Sequence, residues 1–250
     1  MSIWAIIPAR MGSSRFYGKP MKEILGKPMI GHVYQRVSMC PLLERTIVAT
    51  CDTVIFDYIT SIGGEAVMTS DKHERASDRC AEAMLFLEKH TGSMCDIAVM
   101  VQGDEPMTHP EMINEAVLPM TRDSSINIVN LVAPIKSIEE FQNRNCIKVV
   151  CDLAGNALCF SREPIPTLVK EKNVPMNKQV CIIPFRRDFL LEYNRLTPTP
   201  LEVAESVDMM RVLEHGKDVK MIPTAYETHA VDTVEDLAHV QALMSAPNFK

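Results

Sequence analysis

The chain has 250 residues, of which 46% are hydrophobic and 23% charged, and its net charge is −6. Such a length and balance describe a globular protein with a sizeable core, enough for one large α/β domain or somewhat more. The acidic balance argues against a general nucleic-acid binder, which would carry a basic surface, and no apolar run approaches the length of a membrane span.

Ile3 to Ile7 is a largely β-branched apolar run that ends at Pro8 and reads as a buried strand. It feeds a loop that holds Gly12, Ser13, Ser14 and Gly18 together with Arg10, Arg15 and Lys19. Pro28 to Met39 has apolar residues at helical spacing, and Thr46 to Thr50 is a second strand. Thr53 to Ile62 is a helix stopped by Gly63-Gly64, and Ala66 to Met68 a short third strand. Ala76 to His90 is a helix with a stripe at Ala76, Cys80, Ala83, Met84 and Leu87. Ile97 to Val101 is a fourth strand, running into Gln102-Gly103-Asp104-Glu105-Pro106, and His109 to Met120 is helical. Strands and helices alternate up to this point, which predicts a mainly parallel sheet with helices on both faces.

The second half changes character. Ile126 to Ile135, Ile147 to Cys151, Ala157 to Ser161 and Gln179 to Phe185 are strands with little helix between them, and Asp152 to Asn156 reads as a hairpin turn. Pro166 to Lys178 is polar and reads as a surface loop. Arg187 to Asn194 is a short helix, Leu201 to His215 a long one ended by Gly216, Val219 to Ile222 a strand, and Thr233 to Met244 the closing helix. A single domain with a smaller antiparallel elaboration fits this order. The eight cysteines form no C-x-x-C pair and read as reduced thiols. With no secretory pattern after Met1-Ser2, they predict a cytoplasmic protein.

Cations in a Gly/Ser loop at the end of a buried strand suit a phosphate-bearing ligand: backbone N–H groups point at the anion, Arg offers a planar fork and Lys a point charge. The other reading is a solvated basic loop. The loop is neither a Walker loop nor G-x-G-x-x-G. Asp104, at the end of strand 97–101, is either a Mg²⁺ ligand facing that loop or a turn-former before Glu105-Pro106. Asp232 is either a second ligand or an ordinary capping residue before the last helix. Arg79, near the start of helix 76–90, either reaches a phosphate or base or lies on a solvated face. Arg162, closing a strand, either clamps a substrate carboxylate or makes a surface ion pair.

Taken together, Ile7-Pro8-Ala9-Arg10, Ser14-Arg15, Gly18-Lys19-Pro20, Gly26-Lys27-Pro28-Met29-Ile30, Val48-Ala49-Thr50, Val67-Met68-Thr69, Val101-Gln102-Gly103-Asp104-Glu105-Pro106, Phe160-Ser161-Arg162 and Val231-Asp232-Thr233 resemble the 3-deoxy-manno-octulosonate (Kdo) cytidylyltransferase family, the CMP-Kdo synthetases. The resemblance covers almost the whole chain in order. It implies a Rossmann-like nucleotidyltransferase fold, usually a homodimer, with CTP as donor, Mg²⁺ as cofactor and a 2-keto-3-deoxy sugar acid as acceptor. It implies nucleotide contacts from Pro8, Ala9, Arg10, Ser13, Arg15, Lys19, Arg79 and Gln102, with Arg10, Arg15, Lys19 and Asp104 catalytic. Asp104 and Asp232 become the metal ligands. Residues 1–125 become the nucleotide half of the single domain, 126–232 the acceptor-binding and dimerisation elaboration, and 233–250 the closing helix.

The departures from the family cluster in the acceptor half, apart from Tyr17, which replaces a Pro beside the loop. Where the family reads His-Leu-Gly-(Ile/Val)-Tyr-x-Tyr, this chain has Gln179 to Phe185 and lacks the His and both Tyr. A Glu-Gln pair that meets the sugar in the family is Asp208-Met209 here. Acceptor contacts are expected from Arg162, Gln179, Glu202, Asp208 and Met209. The expected activity is CMP transfer from CTP to Kdo or a Kdo-like acid with release of pyrophosphate. A different acceptor, such as a nonulosonate-type sugar or a phosphonate, is the alternative, and a non-catalytic nucleotide-binding protein a third reading.

Overall fold

The computed structural model describes residues 1–12, 16–170 and 174–246. They fall into two compact units, Met1–Asn114 with Glu227–Lys250, and Glu115–Tyr226. The sequence instead suggests one domain with halves meeting near 125/126. The segment from 227 to 232 goes with the first unit because it is tied there by backbone: the Val231 N–H donates to the Asp104 carbonyl at 2.9 Å.

The first unit opens with β1 (Ile3–Ala9), buried at all seven positions. A continuous apolar run is what a strand covered on both faces requires. A short hairpin, β2 (Glu23–Ile24) and β3 (Lys27–Pro28), leads into α1 (Met29–Ser38). Then come β4 (Arg45–Thr50), α2 (Thr53–Ser61), β5 (Glu65–Met68), α3 (Ala76–Thr91) and β6 (Ile97–Val101). Their order in the sheet is β6-β1-β4-β5, and each neighbouring pair is parallel. In register, Ala9 faces Thr50 and Thr50 faces Met68. The loops that leave β1, β4, β5 and β6 therefore emerge along one edge, the carboxyl edge where α/β sheets bind ligands.

α4 (Pro110–Arg122) carries the chain across the boundary at Asn114. The second unit contains β7 (Val129–Pro134), α5 (Ile138–Gln142), β8 (Lys148–Cys151), β9 (Ala157–Ser161), β10 (Asn177–Val180), β11 (Ile182–Arg186), α6 (Arg187–Tyr193), α7 (Pro200–Glu205), α8 (Met209–Glu214) and β12 (Lys220–Pro223). Its sheet runs β12-β7-β10-β8-β9, antiparallel except for β12 on β7. Its five strands are the smaller, mainly antiparallel elaboration that the sequence suggests. The closing helix α9 (Val234–Met244) returns to the first unit, where Val240 and Val231 pack with Ile24, Met29 and Met107. Its Thr233 and Asp236 form a capping box.

Three elements differ from the sequence reading. The strand expected over 179–185 breaks at Cys181 into β10 and β11. The helix expected over 201–215 is two short helices, α7 and α8, parted at Ser206 with φ 53°. Helix α5 was not expected; Ser137 caps it by accepting the Glu140 N–H.

Candidate active-site cleft

Arg10, exposed, follows directly from the buried end of β1. Further along the loop, the Gly18 N–H donates to the Met11 carbonyl at 2.9 Å. Gly18, at φ +72°, then turns the chain into a short 3-10 turn over Lys19–Met21. An L side chain is strained in that conformation. The turn aims Lys19 inward. Its Nζ lies 2.6 Å from Asp104 Oδ2, 3.0 Å from Asp232 Oδ1 and 3.1 Å from the Val231 carbonyl. The side chains of Lys19, Asp104 and Asp232 are only 14%, 23% and 19% exposed. Burial alone would lower the pKa of the lysine, but Asp104 first and then Asp232 outweigh it and hold the value above the usual lysine range. Two carboxylates 128 residues apart in sequence thus converge on one cation.

The strand that delivers Asp104 can come this close to β1 only because of Gly103. A Cβ there would sit 2.9 Å from the Pro8 carbonyl oxygen and 3.5 Å from the Ala9 Cβ. Gln102, Gly103 and Asp104 therefore line one wall of a cleft of about 290 Å³, with Pro8, Ala9 and Arg10 beside them. The cleft is also lined by the start of α3 and the residues before it: Glu74, Arg75, Ala76 and Arg79. Arg79 is 3% exposed. Its Nη1 donates to the Thr69 hydroxyl just past β5, while its Nη2 has no partner among the described residues. A buried, unspent guanidinium nitrogen at a cleft is a donor waiting for an acceptor. His73 lines the cleft too and is bonded to Glu82, which also accepts the Ser70 N–H at 2.9 Å.

The expected nucleotide-side residues Pro8, Ala9, Arg10, Lys19, Arg79, Gln102 and Asp104 all line this cleft, and Asp232 meets it through Lys19. Ser13 and Arg15 lie outside the described residues. Asp232 does more than precede a helix: its carboxylate is on Lys19, while the cap of α9 is Thr233. The sequence reading passed over His73, Glu82, Thr69's bond to Arg79, and Asp52.

The residues expected to meet an acceptor are arranged differently. Glu202 is 1% exposed and gives its two oxygens to Arg211 at 2.7 and 2.9 Å. Met209 is 1% exposed in the core of the second unit. In this structure Glu202 neutralises a buried guanidinium and Met209 fills apolar space. Arg162 gives Nε to the Glu205 carbonyl and Nη2 to that of Ser206, closing the end of α7, and Nη1 to the Arg144 carbonyl. Gln179 donates to Asn130 Oδ1 at 2.5 Å, and Asp208 starts α8, its carbonyl accepting the Tyr193 hydroxyl.

A lining lysine held by Asp104 and Asp232, with Arg10 and Arg79 beside it, suits a polyanion with its counter-cation. A cytidylyltransferase family model matches residues 4–219. The 3-deoxy-manno-octulosonate cytidylyltransferase of Geobacter metallireducens is 41% identical, with 98% of each chain covered. The enzyme of that name from Geotalea uraniireducens is 43% identical over 96% of this chain and 98% of its own. Among solved structures, CMP:2-keto-3-deoxy-manno-octonic acid synthetase complexed with CTP superposes with a TM-score of 0.90 at 35% identity, covering 98% of this chain and 99% of the other. A 4-diphosphocytidyl-2C-methyl-D-erythritol synthase from Anaerococcus prevotii shares the fold, with a TM-score of 0.64 at 15% identity over 98% of this chain and 99% of its own. The chain belongs to the cytidylyltransferase family, among the 3-deoxy-manno-octulosonate cytidylyltransferases.

Proposed function

We propose that this chain transfers CMP from CTP to 3-deoxy-manno-octulosonate or a closely related 2-keto-3-deoxy acid, with release of pyrophosphate. The single observation that carries this reading is the cleft itself, with Lys19 between Asp104 and Asp232 and, from the buried Arg79 that lines it, an Nη2 with no partner among the described residues. Relatives that bear that name over nearly the full length support it.

In this reading Arg10 and Lys19 bind the triphosphate, with Ser13 and Arg15 of the same loop, and offset its charge as pyrophosphate departs. The acceptor hydroxyl oxygen forms a bond to the α-phosphorus while the bond to pyrophosphate breaks, and the hydroxyl proton leaves to water or the departing pyrophosphate. The chain's part is to hold the reactants in line and neutralise charge, which suits a site of cations with no obligatory general base. Arg79 and Gln102 flank the base and choose CTP. Asp104 and Asp232 fit Mg²⁺: their oxygens already converge within reach of one cation, they are hard donors, and magnesium commonly takes one or two carboxylates and completes its shell from phosphate and water. Bound there, the ion would add positive charge at the triphosphate.

Gln179 is the candidate for the acceptor's side, and Arg162 could serve there only by releasing one of the carbonyls that its three nitrogens hold. The missing His and Tyr groups favour an acid with fewer or differently placed hydroxyls than Kdo, since hydroxyls left unpaired in a site are costly. The homodimer is carried over from the family. The cytoplasmic location is supported by the cysteines, none of which is in a disulfide. Among the described residues, no helix is long and apolar enough to cross a membrane. The test is pyrophosphate release from CTP, UTP and ATP across Kdo, deoxy- and amino-substituted analogues, nonulosonates and phosphonates. CTP with a 2-keto-3-deoxy acid should be fastest. Release with none of these acids, or ATP working as well as CTP, would defeat the reading.

A further inference from the structure

Asp52 stands between β4 and α2 at the N-cap position, where an Asp normally caps its helix. It does not do so here: its side chain makes no capping bond to α2. Instead Oδ2 accepts the backbone N–H of Met11 at 2.8 Å, 41 residues back in sequence. The Thr50 hydroxyl accepts the Asp52 N–H at 3.1 Å, and Thr50 is fully buried in β4. The carboxylate is therefore referenced to the sheet. Met11 is held on both sides, by Asp52 at its N–H and by Gly18 at its carbonyl. Its neighbours Arg10 and Gly12 both line the cleft.

We infer that Asp52 is a positioning residue for nucleotide binding: it gives up its own helix cap to pin the root of the phosphate loop, and so fixes where Arg10 and Gly12 meet the ligand. This rests on reading the cleft as a CTP site. A carboxylate beside a cationic loop is otherwise counterproductive, because it competes with the phosphates for charge; a fixed backbone offsets that cost by lowering the ordering needed on binding.

The experiment compares Asp52→Ala, Asp52→Asn and Asp52→Ser in the full chain. CTP dissociation constants come from calorimetry in the presence of Mg²⁺, thermal midpoints from the same preparations, and exchange of the Met11 amide from NMR without nucleotide. Asn keeps an acceptor at the same reach, whereas Ser restores a helix cap but is too short for Met11. Pinning predicts CTP binding about tenfold weaker in Ala and Ser and nearly restored in Asn, about what one charge-assisted hydrogen bond is worth. It also predicts faster Met11 exchange in Ala and Ser only. If Ser rescues binding as well as Asn, or if Ala leaves both CTP affinity and Met11 exchange unchanged, the inference is overturned. Should the wild-type chain not bind CTP, the functional reading fails, and the Met11 exchange rates by themselves decide whether Asp52 holds the loop.

Discussion

The two units use the same residue types to opposite ends. In the second, charged side chains are spent internally. Lys148 is fully buried and donates to the carbonyls of Asn143, Cys146 and Arg162, while burial lowers its pKa. Arg186 takes the carbonyls of Met120, Asp123 and Ile126 near the end of α4. Arg211 is closed by Glu202 and the Leu196 carbonyl. In the first unit, Arg79 is just as buried but one of its nitrogens has no partner among the described residues, and Lys19 is held by carboxylates beside the cleft. Burial and charge alone do not separate the arginine beside the cleft from those of the second unit. What separates them is whether the hydrogen-bonding capacity is already used.

The largest effect should come from the cleft. Asp104→Asn removes one charge from the pair that meets Lys19, and turnover measured by pyrophosphate release should fall by about 10³-fold, the scale of losing a transition-state electrostatic contact. Near-normal turnover at saturating Mg²⁺ would end the contrast between the units. Glu202→Gln probes the other side. It leaves Arg211 buried and half-compensated, so urea unfolding should show a loss of about 3 kcal/mol with the CTP dissociation constant unchanged. A raised acceptor KM in a protein of normal stability would instead make Glu202 a substrate contact.

The smallest effect concerns acid. For Glu82, burial raises the pKa, but the Ser70 N–H, then the bond and charge of His73, outweigh it and leave the value below the usual glutamate range. A group depressed in the folded state stabilises above its unfolded value, near 4.5, and that contribution is lost as pH falls through the folded value. The wild type should therefore lose more stability between pH 5 and about pH 3 than Glu82→Gln, read by denaturant midpoints. Parallel curves would show that Glu82 does not hold the Ser70–His73 wall.

Much of the first unit was legible because its signals are local. The run Ile97 to Val101 is apolar and bounded, and β6 occupies those five residues. The meeting of Lys19 with Asp104 and Asp232 was legible only through the family resemblance, since no local pattern links residues 85 and 213 positions apart. Ser206 was unreadable for a related reason. Nothing in Leu201 to His215 forbids a continuous helix, and the break is stabilised from outside, by Arg162 on the carbonyls of Glu205 and Ser206. Asp52 was passed over because its partner, Met11, lies in another loop 41 residues away.

The bond of Val231 to Asp104, and the clamp of Lys19 beside it, also bear on how the molecule comes together. The second unit is one uninterrupted stretch, Glu115–Tyr226, whereas the first is written in two pieces on either side of it. Closing so long an interval costs chain entropy that grows only slowly with its length, and far less if the interval is already compact. Lys19 and Asp104 both precede that interval, so Asp232 should be the last of the three to join, after the intervening unit has formed. Binding competence then appears as the last event rather than as a gradual gain.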